Sequence, residues 1–283
     1  MKSRIDLHLH STASDGTLSP TELVRAALGM GLTTIALTDH DTTGGIREAL
    51  DAARGSNLTV IPGVEISTDV PGANELHILG YHVDPQHAQL EARLSALRHA
   101  RVDRARRTLA CLAQAGCPLS WDHLVELSQG DVIGRPHIAQ ALVDAGHIDT
   151  VHNAFRYYLA KGRSAYVDRY KLTPHEAIEI IFAAGGIPVL AHPRHVLSHI
   201  PSLVRAGLAG LEAFYPTYPE PEQTFLVNLA RKHDLIVTGG SDFHGPGITE
   251  ASEPAVVYVP PYTVAELSDR LRRQRRPALP LAT

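Results

Sequence analysis

Residues 6–16, DLHLHSTASDG, set His8 and His10 two apart and Asp15 five residues further on. Leu7 and Leu9 alternate with the imidazoles, so on a strand both rings leave the same face. Two adjacent imidazoles with a carboxylate nearby make half of a divalent-metal site, although this stretch alone also reads as a polar edge strand. The same chemistry recurs along the chain. TDHD carries Asp39, His40 and Asp41; PGVEI carries Glu65; ELHILGYH carries His77; PVLAHPRH carries His192; SDFH carries Asp242 and His244. Taken singly, a strand-end histidine is more often a hydrogen-bonded cleft residue. Six histidines and three carboxylates at the ends of apolar runs, with only Asp15 in a loop, are a different matter. Burying them unpaired costs several kcal/mol each, and metal ions remove that cost. At three to four protein ligands per ion, with Glu65 bridging, the set suits three divalent ions with positions left for water and substrate. Mixed imidazole and carboxylate ligation favours Mn, with Fe or Zn as alternatives, over Mg or Ca.

The elements that position these residues are legible in outline. Apolar runs RIDLHLH, TTIALTD, LTVIPGVEI, LHILGYH, GIPVLAHP, GLEAFY, LIVTGGSDFH and AVVYV alternate with helical patterns. Most runs are near-continuous in Val, Ile and Leu, as buried parallel strands are. Helix starts are marked by SPTE at 19–22 and TPHE at 173–176, each with a capping residue, a first-turn Pro and a Glu in capping-box position, and by TVAE at 263–266. Repeated strand–helix units predict a wound α/β sheet or barrel. Residues 86–165 break the rhythm with helical patterns and no comparable strand signal. They read as a helical insertion between two barrel segments, 1–85 and 166–283.

Bulk properties narrow the function classes. A chain of 283 residues with 44% hydrophobic and 20% charged content is ordinary for a globular protein. The formal charge of −4 argues against non-specific nucleic-acid binding through a global basic field. No run approaches the roughly 18 apolar residues that span a bilayer. The opening MKSRIDLHLH lacks the apolar core of a signal peptide, and Cys111 and Cys117 read as idle thiols, so a cytoplasmic location is expected. No obligate protein partner is indicated.

The ordered set His8-x-His10, Asp15, TDHD, PGVEI, His77, AHP and SDFH resembles the polymerase and histidinol phosphatase (PHP) family of metallophosphoesterases, on both sides of the insertion. The resemblance implies a distorted seven-stranded (β/α) barrel, the PHP fold, with a trinuclear site at its C-terminal face. It implies that His8, His10, Glu65 and Asp242 hold one ion, Glu65, His77 and His192 a second, and Asp15, His40 and His244 the third. Clustered ions there would bind phosphoryl oxygens and ionise a bridging water, giving phosphomonoester hydrolysis. Two features favour that route: there is no Ser or Cys nucleophile with a matching base, and no P-loop. His195 is the expected proton donor to the leaving oxygen, with a metal-bound water as the alternative.

Substrate choice is expected to lie in the insertion. Arg101 and Arg104 share one helical side in LRHARVDRARR, where they read equally well as surface arginines laid along an apolar stripe. In IGRPH, Gly134 permits close backbone approach and Arg135 stands at a helix start, where anions bind well. Arg194, two residues after His192, is expected to clamp the reacting phosphate, with His40 also beside the substrate. Lys161 and Arg163 read as a solvated return to the barrel. GRPHIA and KGRSAYV resemble the stand-alone PHP subgroup that includes 3′,5′-nucleoside bisphosphate phosphatases and 5′-to-3′ exonucleases of short RNA. That resemblance implies removal of the 5′-phosphate from adenosine 3′,5′-bisphosphate to give AMP, with Arg101, Arg104 or Arg135 reading the remote phosphate. The alternatives are a histidinol-phosphate-type metabolite phosphatase, a proofreading exonuclease, which the missing polymerase domain disfavours, and a non-catalytic nucleotide-binding scaffold.

Overall fold

The computed structural model describes residues 4–70, 75–128, 132–249 and 251–275. Seven strands form one sheet in sequence order: β1 (Ile5–Leu9), β2 (Thr34–Leu37), β3 (Thr59–Thr68), β4 (Leu76–Tyr81), β5 (Ile187–Leu190), β6 (Gly210–Phe214) and β7 (Ile236–Gly239). The sheet curls until its edges meet. Just beyond β7, the Asp242 N–H donates to the His8 carbonyl at 2.9 Å, and the His10 N–H donates to the Phe243 carbonyl at 3.0 Å. The result is a nearly closed seven-stranded barrel, as the strand pattern implied.

Its interior explains why the runs lack alternation: both faces of each strand are covered. Leu7, Ala36, Ile61, Leu79, Tyr81 and Val189, from five strands, belong to one buried cluster. The Tyr81 hydroxyl donates to the Leu7 carbonyl at 2.9 Å, giving its buried oxygen a partner. Outside, α1 (Pro20–Gly29) and α2 (Ile46–Ala53) cover β1–β3. The other face is covered by α7 (Pro174–Ala183), α8 (Ile200–Arg205) and α9 (Glu220–Lys232). Both Pro-bearing capping boxes form, at Ser19/Glu22 and at Thr173/Glu176. No helix among the described residues is long and apolar enough to cross a membrane.

Three expectations need correction. First, β4 runs antiparallel to both β3 and β5, so its first residues rather than its last reach the face where the neighbouring strands end. His77, at the start of β4, therefore arrives on that face from the opposite direction. Second, AVVYV is not a strand; Val257 and Val259 nevertheless pack into the barrel cluster beside Leu267 of α10 (Tyr262–Arg275). Third, α10 begins at Tyr262, which puts Thr263 inside the helix rather than at its cap.

Between β4 and α7 lie α3 (Ala88–Gln114), α4 (Trp121–Ser128), α5 (Arg135–Asp144) and α6 (Val151–Ala154), the last running into a π-type turn at Phe155–Leu159. The long helix α3 belongs to two cores. Leu90, Leu94 and Leu97 pack with the barrel's outer helices, whereas Ala105 and Leu112 join Leu124, Ile138, Leu142 and Leu159 in a separate cluster. That dual packing anchors the helical segment over one end of the barrel.

Candidate metal centre

The nine side chains singled out in the sequence converge on the face of the barrel where the parallel strands end. Ligand-type atoms of His8, His10, Glu65 and Asp242 lie within 4.8 Å of one another, as do those of His10, Asp15, His40 and His244, and those of His40, Glu65 and His77. His192 joins through its Nε2, 3.2 Å from Glu65 Oε1. Glu65 is the hub: His8, His10 and His40 approach its Oε2 at 3.3, 3.3 and 3.1 Å, and His77 lies 2.8 Å from Oε1. Only His8, Glu65 and His77 lie within strands. His40, His192, Asp242 and His244 stand on loops just past β2, β5 and β7, so Asp15 has company that the sequence did not suggest.

The loops are held in strained shapes. His192 has φ 27° and Asp242 φ 53°, conformations that cost non-glycine residues of order 1–3 kcal/mol and persist only where the surroundings enforce them. The enforcing contacts are visible. The His192 N–H donates to Glu212 Oε2 at 2.8 Å, and Glu212 Oε1 lies 3.0 Å from His8 Nδ1. One buried carboxylate on β6 thereby sets both the backbone of His192 and the ring of His8, leaving His8 Nε2 toward Glu65 and Asp242. His244 Nδ1 donates to the Asp242 carbonyl at 2.9 Å, which turns its Nε2 toward Asp15 at 3.4 Å. Asp39 accepts from the Ser11 N–H at 2.7 Å and the Ser14 hydroxyl at 2.6 Å, fixing the turn that delivers Asp15. Gly240 passes so close to His8 that a Cβ there would sit 2.4 Å from the His8 Cβ, so no larger residue fits.

The atoms present suit a divalent cation. His8 Nε2, both ring nitrogens of His10, Asp15 Oδ1, His40 Nδ1 and Glu65 Oε2 are buried without a directed hydrogen bond. Imidazole nitrogens and carboxylate oxygens are the donors such ions take. The electrostatics agree. Burial opposes a charge on His10 and on His77, yet the neighbouring carboxylates push their pKa values up to about 10 and about 9. Burial likewise opposes ionisation of Asp15, but His40 and His244 hold it well below the usual carboxylate range. His40 is the exception: burial dominates and lowers it to about 3.

Beside the centre opens a cavity of about 510 Å³, lined on the barrel side by Asp15, His40, His77 and His244 and on the other by α3, α5 and α6. This is within the usual range for small-molecule sites. Arg101, Arg104 and Arg135 all line it. Arg101 is buried and donates to Asp41 Oδ2 at 2.7 Å and to Ser67 at 3.0 Å, so it is no surface residue. Arg104 is buried as well; it donates to the Ile133 carbonyl at 3.0 Å, and its Nε has no partner. Burial, with Arg101, Arg169 and Arg135 alongside, drives its pKa well below the ordinary arginine value. Gly134 caps α5 so closely that a Cβ would lie 3.0 Å from Asp15 Oδ2. Arg135 pairs with Glu75 at 3.1 Å.

Two expected residues do not line this cavity. Arg194 is bound by Glu222 at 2.7 and 2.6 Å, donates to the Thr217 carbonyl and lies over the Tyr218 ring, and it does not line the cavity. In the turn after His192 the Arg194 guanidinium is therefore already engaged by protein groups. His195 is exposed at the end of the same turn, outside the cavity lining. Lys161 and Arg163 are exposed, as a solvated return requires.

Several contributors went unnoticed in the sequence. Glu212 had a signal, a carboxylate inside the apolar run GLEAF. Asp41, noticed only beside His40, anchors Arg101 and also accepts from buried Arg169 at 3.3 Å. Tyr215, whose hydroxyl donates to Asp242 Oδ2 at 2.8 Å, and Phe155, which lines the cavity, carried no signal.

Comparison with known proteins adds an independent line. The PHP domain model matches residues 6–172. A 5′-3′ exoribonuclease of Haemophilus influenzae is 39% identical over 253 residues, which are 87% of this chain and 92% of that protein. A 3′,5′-nucleoside bisphosphate phosphatase of Chromobacterium violaceum is 36% identical over 253 residues, covering 87% of this chain and 88% of the relative. A solved structure from Bifidobacterium adolescentis, described as a metal-dependent phosphoesterase, superposes with a TM-score of 0.86 at 33% identity, covering 94% of this chain and 96% of that one. Strand order, converging side chains and these similarities agree: the chain belongs to the PHP domain family.

Proposed function

We propose that the chain is a metal-dependent phosphomonoesterase that takes one phosphate from 3′,5′-nucleoside bisphosphates and reads the other with arginines. The observation that carries this reading is a single cavity with two unlike walls. One wall is the edge of the nine-residue cluster, where Asp15, His40, His77 and His244 face the cavity; the other presents Arg101, Arg104 and Arg135. His8, His10, Glu65 and Asp242, with Asp15, His40, His77, His192 and His244, would hold three divalent ions, Mn before Fe or Zn. Such ions, when bound, neutralise phosphoryl charge and make water a nucleophile at neutral pH.

The chain's own residues do the rest. Helices α3–α6 form a substrate-binding cap. Asp41 fixes Arg101, so the cluster is ordered before substrate arrives, and Arg104 keeps hydrogen-bonding capacity at Nε. A phosphate oxygen there would relieve a cation that burial and three neighbouring arginines make costly. Tyr215 orients Asp242 from the open side of the centre. The Gly134–Arg135 helix start brings backbone N–H groups to the same region.

The sequence reading takes the 5′-phosphate as the one removed, adenosine 3′,5′-bisphosphate going to AMP. The opposite polarity, with the 3′ ester at the ions, would also serve a 5′-to-3′ exonuclease on short RNA, as the name of the Haemophilus relative suggests. Phosphate release by the metal-loaded chain from nucleoside 5′-, 3′- and 3′,5′-phosphates and from histidinol phosphate tests the proposal. A preference for bisphosphates is expected, and the monophosphate left identifies the polarity. Equal rates on mono- and bisphosphates, or a preference for histidinol phosphate, would overturn it.

A further inference from the structure

Beyond the cluster residues and the arginines, part of the cavity wall is formed by Leu127 of α4, Gln140 of α5, Val151 of α6, Phe155 of the turn after it, and Ile248, with the polar Thr17, His137 and Thr249 elsewhere on the lining. Four of the first five are apolar, and a flat aromatic ring fits such a wall. Gln140 is the exception in this stretch, and its half-buried amide is oriented by a hydrogen bond. Its Nε2 donates to Asp144 Oδ1 at 2.7 Å, one turn along α5. The other oxygen of Asp144 lies 3.0 Å from His123 Nε2 on α4. Carboxylate oxygens accept and do not donate, so Gln140 must show its amino end to Asp144, and its carbonyl oxygen is the end left over.

We infer that Gln140 reads the nucleobase: its carbonyl oxygen accepts a hydrogen bond from an exocyclic ring amino group on a base lying against Phe155. The cavity thereby favours an amino-bearing base such as adenine over its keto counterpart. The inference rests on the reading of the substrate as a nucleotide. Asp144 is a positioning residue; it touches Gln140 and not the base. A keto oxygen set against the Gln140 carbonyl would leave two acceptors facing each other, which a site built to receive a donor rejects.

Adenosine and inosine nucleotides differ at this group and at the adjacent N1, which accepts in adenosine and carries a hydrogen in inosine, and share the rest of the ring framework. Two readouts on the metal-loaded chain are needed: kcat/KM for phosphate release from the two 3′,5′-bisphosphates, and calorimetric binding of the two monophosphates. Adenosine is expected to lead by about tenfold in both, the worth of one hydrogen bond. D144A frees the amide to present its amino end instead, so the ratio should fall to within about threefold, and Q140L should do the same. D144N keeps an oxygen for Gln140 and should retain most of the preference. Equal affinity of the unaltered chain for the two bases, or a ratio unmoved by both D144A and Q140L, would overturn the inference. Preferential binding of the adenosine nucleotide without phosphate release from either bisphosphate would overturn the bisphosphatase reading and leave the base reader standing. Release from both bisphosphates at equal efficiency would do the reverse. Failure of the adenosine monophosphate to bind would overturn the base reader.

Discussion

The two walls of the cavity are built on opposite principles. The barrel wall is made of short segments at strand ends, each delivering one or two ligand-type side chains, several of them locked by hydrogen bonds donated to buried carboxylates such as Glu212 and Asp39. The cap wall is made of helices that bring Arg104, Gln140 and Phe155 together from three separate elements. Under the proposed function one wall would carry the chemistry and the other would select the molecule presented to it, its side chains spaced by helix packing rather than by strand register.

Substitutions on the two walls should therefore fail in different ways, and the largest effects belong to the barrel. Asp15→Ala or His192→Ala should cut turnover on the order of a thousandfold while circular dichroism remains that of the folded chain. Retention of a tenth of the activity would mean that the residue is not part of the reacting centre. Glu212→Gln should be milder and of another kind. It loosens the His8 ring and the His192 turn, so metal affinity should fall about 10- to 100-fold, and excess metal should restore most of kcat. A loss that excess metal cannot restore would place Glu212 in the chemistry instead.

On the cap wall, Arg135→Ala should raise KM for bisphosphates by order 1–3 kcal/mol, the cost of a charged hydrogen bond, with a smaller effect on monophosphates. Equal losses on both substrate types would remove Arg135 from recognition of the second phosphate. The smallest effect marks the boundary of the site. Thr173→Ala removes a helix cap remote from the cavity lining and should lower stability by about 1 kcal/mol, read as a denaturant midpoint, with kinetics unchanged.

The same contrast explains what could be read without a structure. The barrel wall was legible because metal ligation restricts residue types and strand ends restrict their positions. His8, His10, Glu65 and His192 each sit where an apolar run stops or is interrupted by a charge. The cap wall was legible only in part. Arg101 and Arg104 are visible as a pair on one helical face, but the partners that accept from them when buried are distant in sequence: Asp41, sixty residues from Arg101, and the Ile133 carbonyl for Arg104. Nothing local marks Phe155 as a cavity residue. For Arg194 and His195, closeness to His192 in sequence said nothing of their partners: both lie in the short turn after β5, where Glu222 pairs with Arg194 and His195 is exposed. The antiparallel direction of β4 was hidden for a related reason. Buried strands look alike whichever way they run, and only the connection to β3 decides.

Everything on the barrel wall depends on the nine side chains binding a compact group of ions. Anomalous diffraction from crystals of the metal-supplied chain, combined with elemental analysis, tests this directly. Three ions among His8, His10, Asp15, His40, Glu65, His77, His192, Asp242 and His244 are expected, at about 2.0–2.3 Å from their nearest ligand atoms. A chain that binds no metal after supply, or binds it away from these residues, would contradict the account.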